Sequence, residues 1–456
     1  MPPKFGTSGL RGLVVELTAE LIGAHVRAFV ASCPVGNGIW IGRDLRGSSP
    51  AIATMVADAA RQMGVQVTDA GAVPTPALAL ASMSAGCAAV MVTGSHIPDD
   101  RNGIKFYTPE GEITKTHEAA ILASLNAAPT QHGPDLITDI KTVAAYIARY
   151  TSAFGTALAG MRIGVYSHSA VGRDLMVDLL TQLGATVTEL GRAAHFVPVD
   201  TEAVPEDVRA QLRDWAKSHP LDAIVSTDGD GDRPLVSDAT GNIVPGDVLG
   251  QITGKALGAQ VAVTPVSSNS GAEQVFDQVI RTRIGSPFVI AGMEGAAGRV
   301  VGYEANGGFL LGYDASGPSG PLPALMTRDA VLPILASLMA AKVEGTLAAA
   351  VAKQPARFTA ADRLQGVETD VAKTFISGLS TQDSARAAFL RQFDLTEVAV
   401  DRTDGLRMIC EGEHIVHLRP SGNAPELRFY AEAASFNAAQ ALLAQGLDLL
   451  RTQLTP

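Results

Sequence analysis

The chain has 456 residues, 46% of them apolar, and a formal net charge of −11; its length exceeds what one hydrophobic core organises and sets an expectation of about three or four soluble domains. The acidic balance argues against nucleic acid as a partner, because duplex affinity rests on Lys and Arg neutralising phosphates, so an anionic ligand has to be met by a local cluster of cations. Three widely spaced cysteines, Cys33, Cys87 and Cys410, argue against a disulfide framework and against a CxxC metal clip.

In chain order, the opening MPPKFGTSGLRG has no apolar core of signal-peptide length, so the cytoplasm is the expected compartment. Its glycines are spaced GxxGxxG, which is not a dinucleotide fingerprint. From Ile39, IWIGRDLRGSSPAIATMVADAARQMGVQVTDAG reads as a β-rich run, a Ser- and Gly-containing loop, an amphipathic helix and a second β-rich run. Residues 77–92, ALALASMSAGCAAVMV, come nearest to a membrane span, but they are short and contain Ser82, Ser84 and Gly86. They read as a helix that turns at Gly86 into a buried strand, and no membrane partner is expected. The strand–helix–strand pattern returns in RIGVYSHSAVGRDLMVDLLTQLGATVTELG from Arg162 and in VAVTPVSSNSGAEQVFDQVIRTRIGSPFVIAG from Val261. Each unit of about 30 residues suits a parallel-sheet α/β architecture, and their wide separation predicts three related domains instead of a solenoid. The tail has short strands around His414–Leu418 and Leu427–Ala431 and a closing helix over Ala438–Gln453, a smaller α+β domain. Joints near Asp135, Pro245 and Gln354 divide the chain into 1–135, 136–246, 247–354 and 355–456.

Four stretches carry chemistry. TGSHIPDDRNGIKFY, Thr93 to Tyr107, follows an apolar strand and exposes the Ser95 hydroxyl at the carboxyl edge of a parallel sheet, where such folds keep ligands. A lone Gly-Ser pair is more often a turn before a helix cap, but His96 stands beside the serine and Gly103 lets the loop bend back to carry the Lys105 amine to it. A nucleophile elbow is excluded, since GxSxG needs glycine where Thr93 and Ile97 stand. DGDGDRP offers Asp228, Asp230 and Asp232 at alternate positions, separated by glycines free to take unusual backbone angles, so that the three can converge on one hard cation. The EF-hand fails, because Arg233 and Ala239 stand where its loop needs Gly and Glu; the remaining alternative is a solvated acidic turn. Arg233 beside the three acids suits a phosphate bridging cation and metal. GYEANGGFLLG places Glu304 and Asn306 among glycines, acceptors and donors for vicinal hydroxyls, although alone it reads as readily as a plain turn. LRPSGNAPELR puts Arg419, Ser421, the Gly422 backbone and Asn423 on one loop that ends in Arg428, either a phosphate cradle or a hairpin turn. Lys255, in TGKAL, lacks the surroundings of a Walker A loop.

In this order the four stretches resemble the α-D-phosphohexomutase superfamily, phosphomannomutases and phosphoglucomutases among them, with FGTSGLRG as its usual opening. The resemblance covers essentially the whole chain. It implies three similar α/β domains with mainly parallel sheets and a fourth, related to the TATA-binding-protein fold, around a central cleft. It further implies that Ser95 is the phosphoserine and, with Asp228, Asp230 and Asp232, a Mg2+ ligand. Lys105 becomes the general acid–base group, Arg11 steadies the transferring phosphate, and His96 tunes the serine loop. Glu304, with Asn306 in the same loop, meets the sugar hydroxyls. Arg419, Ser421, Gly422 and Asn423, with Arg428 and with Arg233 on the second domain, meet phosphate. The implied reaction interconverts mannose 1-phosphate and mannose 6-phosphate, or the glucose pair, through a hexose 1,6-bisphosphate that also serves as activator. A phosphoglucosamine mutase and a Mg-dependent sugar phosphatase stay open, although a second phosphate clamp and a closing fourth domain favour a mutase over a phosphatase. Ala305 and Asn306 depart from the family's GExSG, SGNAP departs from SGTEP, and Ser286 follows Gly285 where some bacterial members carry histidine. These departures leave the reaction class intact and the sugar preference open.

Overall fold

The computed structural model describes residues 3–6, 9–421 and 425–454. The first sheet is built around Ala88–Val92, whose five residues are all buried, the signature of a strand covered on both faces. Ile39–Arg43 and Val67–Ala72 extend it in parallel on one side, while Arg101–Thr108 and Gly9–Leu13 extend it antiparallel on the other. Ile137–Thr138 adds a last parallel partner to Thr68–Asp69, so this sheet reaches past the expected joint at Asp135. Helix Thr75–Ser84 gives way to a left-handed Gly86 (φ 62°) before the central strand, because the chain has to reverse there.

The second sheet orders Thr186–Leu190, Arg162–Tyr166 and Ala223–Thr227 in parallel and closes on an antiparallel Pro234–Asp238. The acidic DGDGDR stretch is the tight connection between those last two strands. In the third sheet Gln278–Thr282, Val261–Pro265 and Val300–Tyr303 run parallel, while Phe309–Leu311 and Leu325–Asp329 are antiparallel. The three α/β sheets are therefore mixed, parallel where helical crossovers connect the strands and antiparallel at an edge. The amphipathic helix expected after Val261–Pro265 is reduced to Ala272–Val275. Phe276 leaves it in an extended conformation to pack beside Tyr303, with ring centroids 6.3 Å apart, and the longer helix Ser286–Glu294 forms only after the next strand. One apolar cluster runs through the second and third sheets, from Tyr146 and Leu179 to Tyr303 and Leu335.

The fourth sheet is wholly antiparallel, in the order Phe358–Gln365, Glu426–Ala433, Ile415–Pro420, Leu406–Cys410 and Glu397–Asp401. Helices Thr369–Thr381, Asp383–Leu390 and Phe436–Leu454 complete a core of its own around Phe389, Phe393 and Phe429. Polar contacts join it to the third: Ser270 N and Oγ donate to Glu432 at 2.9 and 2.5 Å, and Ile284 N donates to Asp404 at 3.1 Å. Among the described residues no helix is long and apolar enough to cross a membrane.

Helix Phe436–Leu454 approaches its sheet closely because Gly446 has no side chain; a Cβ there would stand 2.2 Å from the buried Phe429 ring. Gly446→Val is expected to destabilise the fourth unit by about 1–3 kcal/mol through overpacking, outweighing the better helix propensity of valine. Thermal unfolding measures it, and an unchanged or raised Tm would show that the ring moves aside freely.

Candidate active site

Ser95 leaves the central strand Ala88–Val92 with φ 54°, a left-handed conformation that costs energy in a residue with a side chain. Buried polar groups hold it there. Thr93 Oγ1 accepts from Ser95 N at 2.7 Å and donates to Asp44 Oδ2 at 2.8 Å. Arg46, fully buried, donates to four carbonyl oxygens of the same loop: Ser95 at 2.9, Ile97 at 2.6, Pro98 at 2.7 and Arg101 at 3.1 Å. Asp44 pairs with its Nε at 3.2 Å, and the Phe196 ring of the second unit covers it at 3.9 Å. Gly94 is what makes this possible, since a Cβ there would lie 2.7–2.8 Å from the guanidinium. The sequence offers only a DLR turn after a strand as a hint of Arg46.

Asp228, Asp230 and Asp232 are fully buried, and one carboxylate oxygen of each lies within 4.8 Å of the others. Gly231, at φ 76°, makes the turn that gathers them. Gly229 serves by its size, as a Cβ would stand 2.7 Å from Ser95 O. Asp228 Oδ1 accepts the backbone N–H groups of Gly231, Asp232 and Arg233 at 3.1–3.3 Å, and its Oδ2 accepts the Ser95 hydroxyl at 2.5 Å. Asp230 Oδ2 accepts from Thr75 Oγ1 at 2.7 Å and Lys105 Nζ at 2.6 Å; Asp232 Oδ2 accepts from Lys105 at 2.8 Å and pairs with Arg328 Nη2 at 3.0 Å. The other oxygen of Asp230 and of Asp232 is buried without a hydrogen-bond partner among the described residues. An all-carboxylate set with free inward oxygens fits a hard divalent cation. Burial and the two neighbouring carboxylates push the Asp228 carboxyl far above its usual range. Burial acts the same way on Asp230 and Asp232, but Lys105 with the hydrogen bonds to Asp230, and Arg328 with Lys105 and Arg233 around Asp232, together outweigh it and hold both below that range.

Lys105 reaches the cluster by a different route from the one expected. Residues 101–108 form an extended strand instead of a loop bending back at Gly103, and antiparallel pairing sets Lys105 opposite Met91. Gly103 makes room for Arg11: a Cβ would lie 2.4 Å from Leu10 O and 2.9 Å from Arg11 Cγ. The direct partners of the Lys105 amine are two carboxylates, those of Asp230 and Asp232. Burial, then Arg233, lowers the pKa of Arg11 to about 10, which leaves it charged near neutrality. His96 Nδ1 lies 3.2 Å from Ser95 Oγ and accepts from Arg233 Nη1 at 2.9 Å. Burial and that guanidinium push its pKa down to about 3, so the imidazole is neutral.

Glu304 and Asn306 are buried in the third unit; Asn306 Oδ1 accepts from Gly308 N at 3.0 Å, and Thr201 of the second unit donates to Asn306 O at 2.9 Å. Glu304 joins the cluster through Arg328, at 3.6 Å. Sequence reasoning missed Arg328, Arg46 and Thr75, because each acts through partners far along the chain. Arg419 and Arg428 stand opposite each other on neighbouring strands of the fourth sheet and have partners there: Arg419 Nε donates to Asp404 at 2.8 Å, and Arg428 pairs with Glu426 at 3.1 Å. Ser421 N donates to Glu426 O at 3.0 Å, so the motif spans a hairpin, and Gly422 and Asn423 lie outside the described residues.

Three family models match the chain, described as phosphoglucomutase/phosphomannomutase alpha/beta/alpha domain I over residues 2–132, domain II over 144–241 and domain III over 238–358. The chain is 42% identical to a phosphomannomutase of Sinorhizobium fredii, covering 100% of each chain. It is 44% identical to a phosphomannomutase of Salmonella muenchen, covering 99% of this chain and 96% of that one. A crystal structure of a phosphoglucomutase/phosphomannomutase family protein from Burkholderia thailandensis shares the fold, with a TM-score of 0.77 at 22% identity over 98% of this chain and 96% of that one.

Replacing Arg46 by methionine would strand buried carbonyls of the serine loop, each at a cost of about 1–3 kcal/mol. Arg46→Met is expected to lower Tm and to speed amide exchange at residues 94–98 more than elsewhere in the first sheet. Uniform exchange across the sheet would mean that Asp44 and Thr93 hold the loop without it.

Proposed function

The chain belongs to the α-D-phosphohexomutase superfamily, and from that premise we propose that it interconverts mannose 1-phosphate and mannose 6-phosphate through a phosphorylated Ser95. It is a phosphohexomutase, an isomerase that moves a phosphoryl group within a hexose. The observation that carries the detailed reading is the 2.5 Å contact between Ser95 Oγ and Asp228 Oδ2, which joins a strained serine to a buried carboxylate cluster from another sheet.

In this reading the O6 hydroxyl of a bound hexose 1-phosphate attacks the phosphorus on Ser95. The P–Oγ bond breaks as the P–O6 bond forms, and the hydroxyl proton passes by way of Lys105, acting in its neutral form, to Ser95 Oγ. The hexose 1,6-bisphosphate turns over in the site. Ser95 Oγ then attacks the phosphorus on O1; the P–O1 bond breaks as the P–Oγ bond forms, the serine proton returns by way of Lys105 to O1, and hexose 6-phosphate leaves with the serine phosphorylated again. Asp228 is already placed as acceptor for the serine hydroxyl. Arg11 and Arg233 lie beside the cluster as fixed cations for the transferring phosphoryl, and neutral His96, whose Nδ1 accepts from Arg233, tunes the serine loop beside Ser95. Asp228, Asp230 and Asp232, with a phosphate oxygen on Ser95, would hold Mg2+, which neutralises charge on the transferring group. Glu304 and Asn306 receive the sugar hydroxyls. Arg419, Ser421, Gly422, Asn423 and Arg428 take the phosphate that is not reacting. Hexose 1,6-bisphosphate serves as activator by phosphorylating resting Ser95, and the enzyme works in the cytoplasm.

Purified protein with Mg2+ and a trace of hexose 1,6-bisphosphate is expected to isomerise mannose phosphate faster than glucose or glucosamine phosphate assayed in parallel. Ser95→Ala should abolish turnover, and peptide mass spectrometry should find phosphate on Ser95 in a fraction of the unaltered protein. Preferred turnover of glucosamine phosphate would overturn the sugar assignment, and release of inorganic phosphate without isomer would favour a phosphatase.

Arg419 lies on a unit with its own core, so contacts to the distal phosphate there can close the fourth unit and orient the reacting end. A charge-assisted hydrogen bond contributes about 1.5–3 kcal/mol, so Arg419→Ala should lower kcat/KM by about tenfold or more while Ser95 still carries phosphate. Unchanged kinetics in both directions would place the distal clamp elsewhere.

A further inference from the structure

Arg328 stands on strand Leu325–Asp329 of the third sheet and is 3% exposed. Its guanidinium meets a carboxylate from each of the three α/β units: Glu112 Oε1 at 3.4 Å from the first, Asp232 Oδ2 at 3.0 Å from the second and Glu304 Oε2 at 3.6 Å from the third. We propose that Arg328 is a positioning residue for the sugar, fixing Glu304 relative to Asp232 so that the sugar-binding loop and the cation site keep one geometry. The proposal rests on the mutase reading for the role of Glu304.

Several features of the mount argue for this. The next residue, Asp329, accepts from Tyr146 Oη at 2.5 Å and from Tyr150 Oη, which pins the strand immediately beside Arg328. Glu112 is braced from its other side, where Ser286 Oγ donates to Oε2 at 2.7 Å. Gly308, in the same loop as Glu304, leaves the space through which the arginine stem passes; a Cβ there would lie 3.0 Å from Arg328 Cδ and 3.1 Å from Cγ. Arg328 and Lys105 both engage Oδ2 of Asp232, so its other oxygen is the one left without a hydrogen bond. Glu304 has few other constraints on its carboxylate: Asn306 Nδ2 reaches Oε2 only at 3.5 Å. A planar guanidinium presents five donors in a rigid fork, whereas an ammonium is a compact point charge on a flexible stem and fixes the mutual geometry of its partners less well.

A purely structural cation would affect substrate binding independently of Glu304, whereas a positioning residue acts through it. The test measures binding of mannose 1-phosphate by calorimetry to full-length protein in the Ser95→Ala background, where no turnover intervenes. Adding Arg328→Lys should weaken binding by about tenfold, as Glu304 loses the rigid cation that faces it, with Tm nearly unchanged because a buried cation remains. Adding Glu304→Gln should weaken it comparably, and the combination of both should be no weaker than Glu304→Gln alone. Arg328→Met, if it folds, should match Arg328→Lys in affinity while losing more stability. Unaltered affinity in Arg328→Lys, or a loss that adds fully to that of Glu304→Gln, overturns the proposal. Failure of the Ser95→Ala protein itself to bind any hexose phosphate would overturn the mutase reading, and this inference with it.

Discussion

Of three aspartates with no exposed surface, Asp230 and Asp232 carry charge that the protein interior tolerates only because cations are brought to them. Burying a carboxylate costs several kcal/mol even after relaxation, and removing one partner of such a set leaves an uncompensated charge. The compensating groups are Lys105 from the first sheet, Arg233 from the acidic turn itself and Arg328 from the third sheet. Thr75, at the start of a helix in the first unit, adds a hydroxyl and receives backbone support from Asp230 in return. The cluster is therefore one of the places where the α/β units are tied together, and its electrostatic demand fixes their arrangement.

The serine loop solves a related problem with neutral partners. A serine held in a left-handed conformation needs its surroundings to be over-determined, and a single buried guanidinium satisfies four carbonyls of the loop at once. Asp44 then keeps that guanidinium paired while also accepting from Thr93 and Ser49. The Phe196 ring that covers Arg46 belongs to the second unit, so the serine loop and the acidic turn are aligned by packing as well as by the Ser95–Asp228 contact.

The fourth unit is attached differently. Its apolar core is separate, and its described polar links to the third are hydrogen bonds such as Ser270–Glu432 and Ile284–Asp404. Glu432 also accepts from Arg357 at 2.7 Å, and Asp404 also accepts from Arg419. Polar contacts of this kind exchange with water at smaller cost than a shared core, so the fourth unit is the one least firmly fixed to its neighbour.

Chemistry carried by adjacent residues could be read directly from the sequence. The strand–loop–helix pattern, the apolar run ending in Thr93-Gly94-Ser95, the spacing of Asp228, Asp230 and Asp232 around glycine, and the antiparallel tail all follow from local periodicity and turn chemistry, whose range is a few residues. Tertiary structure decided what depends on close approach between distant segments. Gly94 and Gly103 look like flexible turn residues in the sequence, yet they are glycines because Arg46 and Arg11 pass within van der Waals reach. The helix expected around Ala272–Val275 stops after one turn because Phe276 is drawn into a core formed by strands that come later. Arg328 carries no local mark at all. Its three carboxylates lie on separate sheets, and only the folded chain, where burial makes an unpaired charge costly, brings a guanidinium to them.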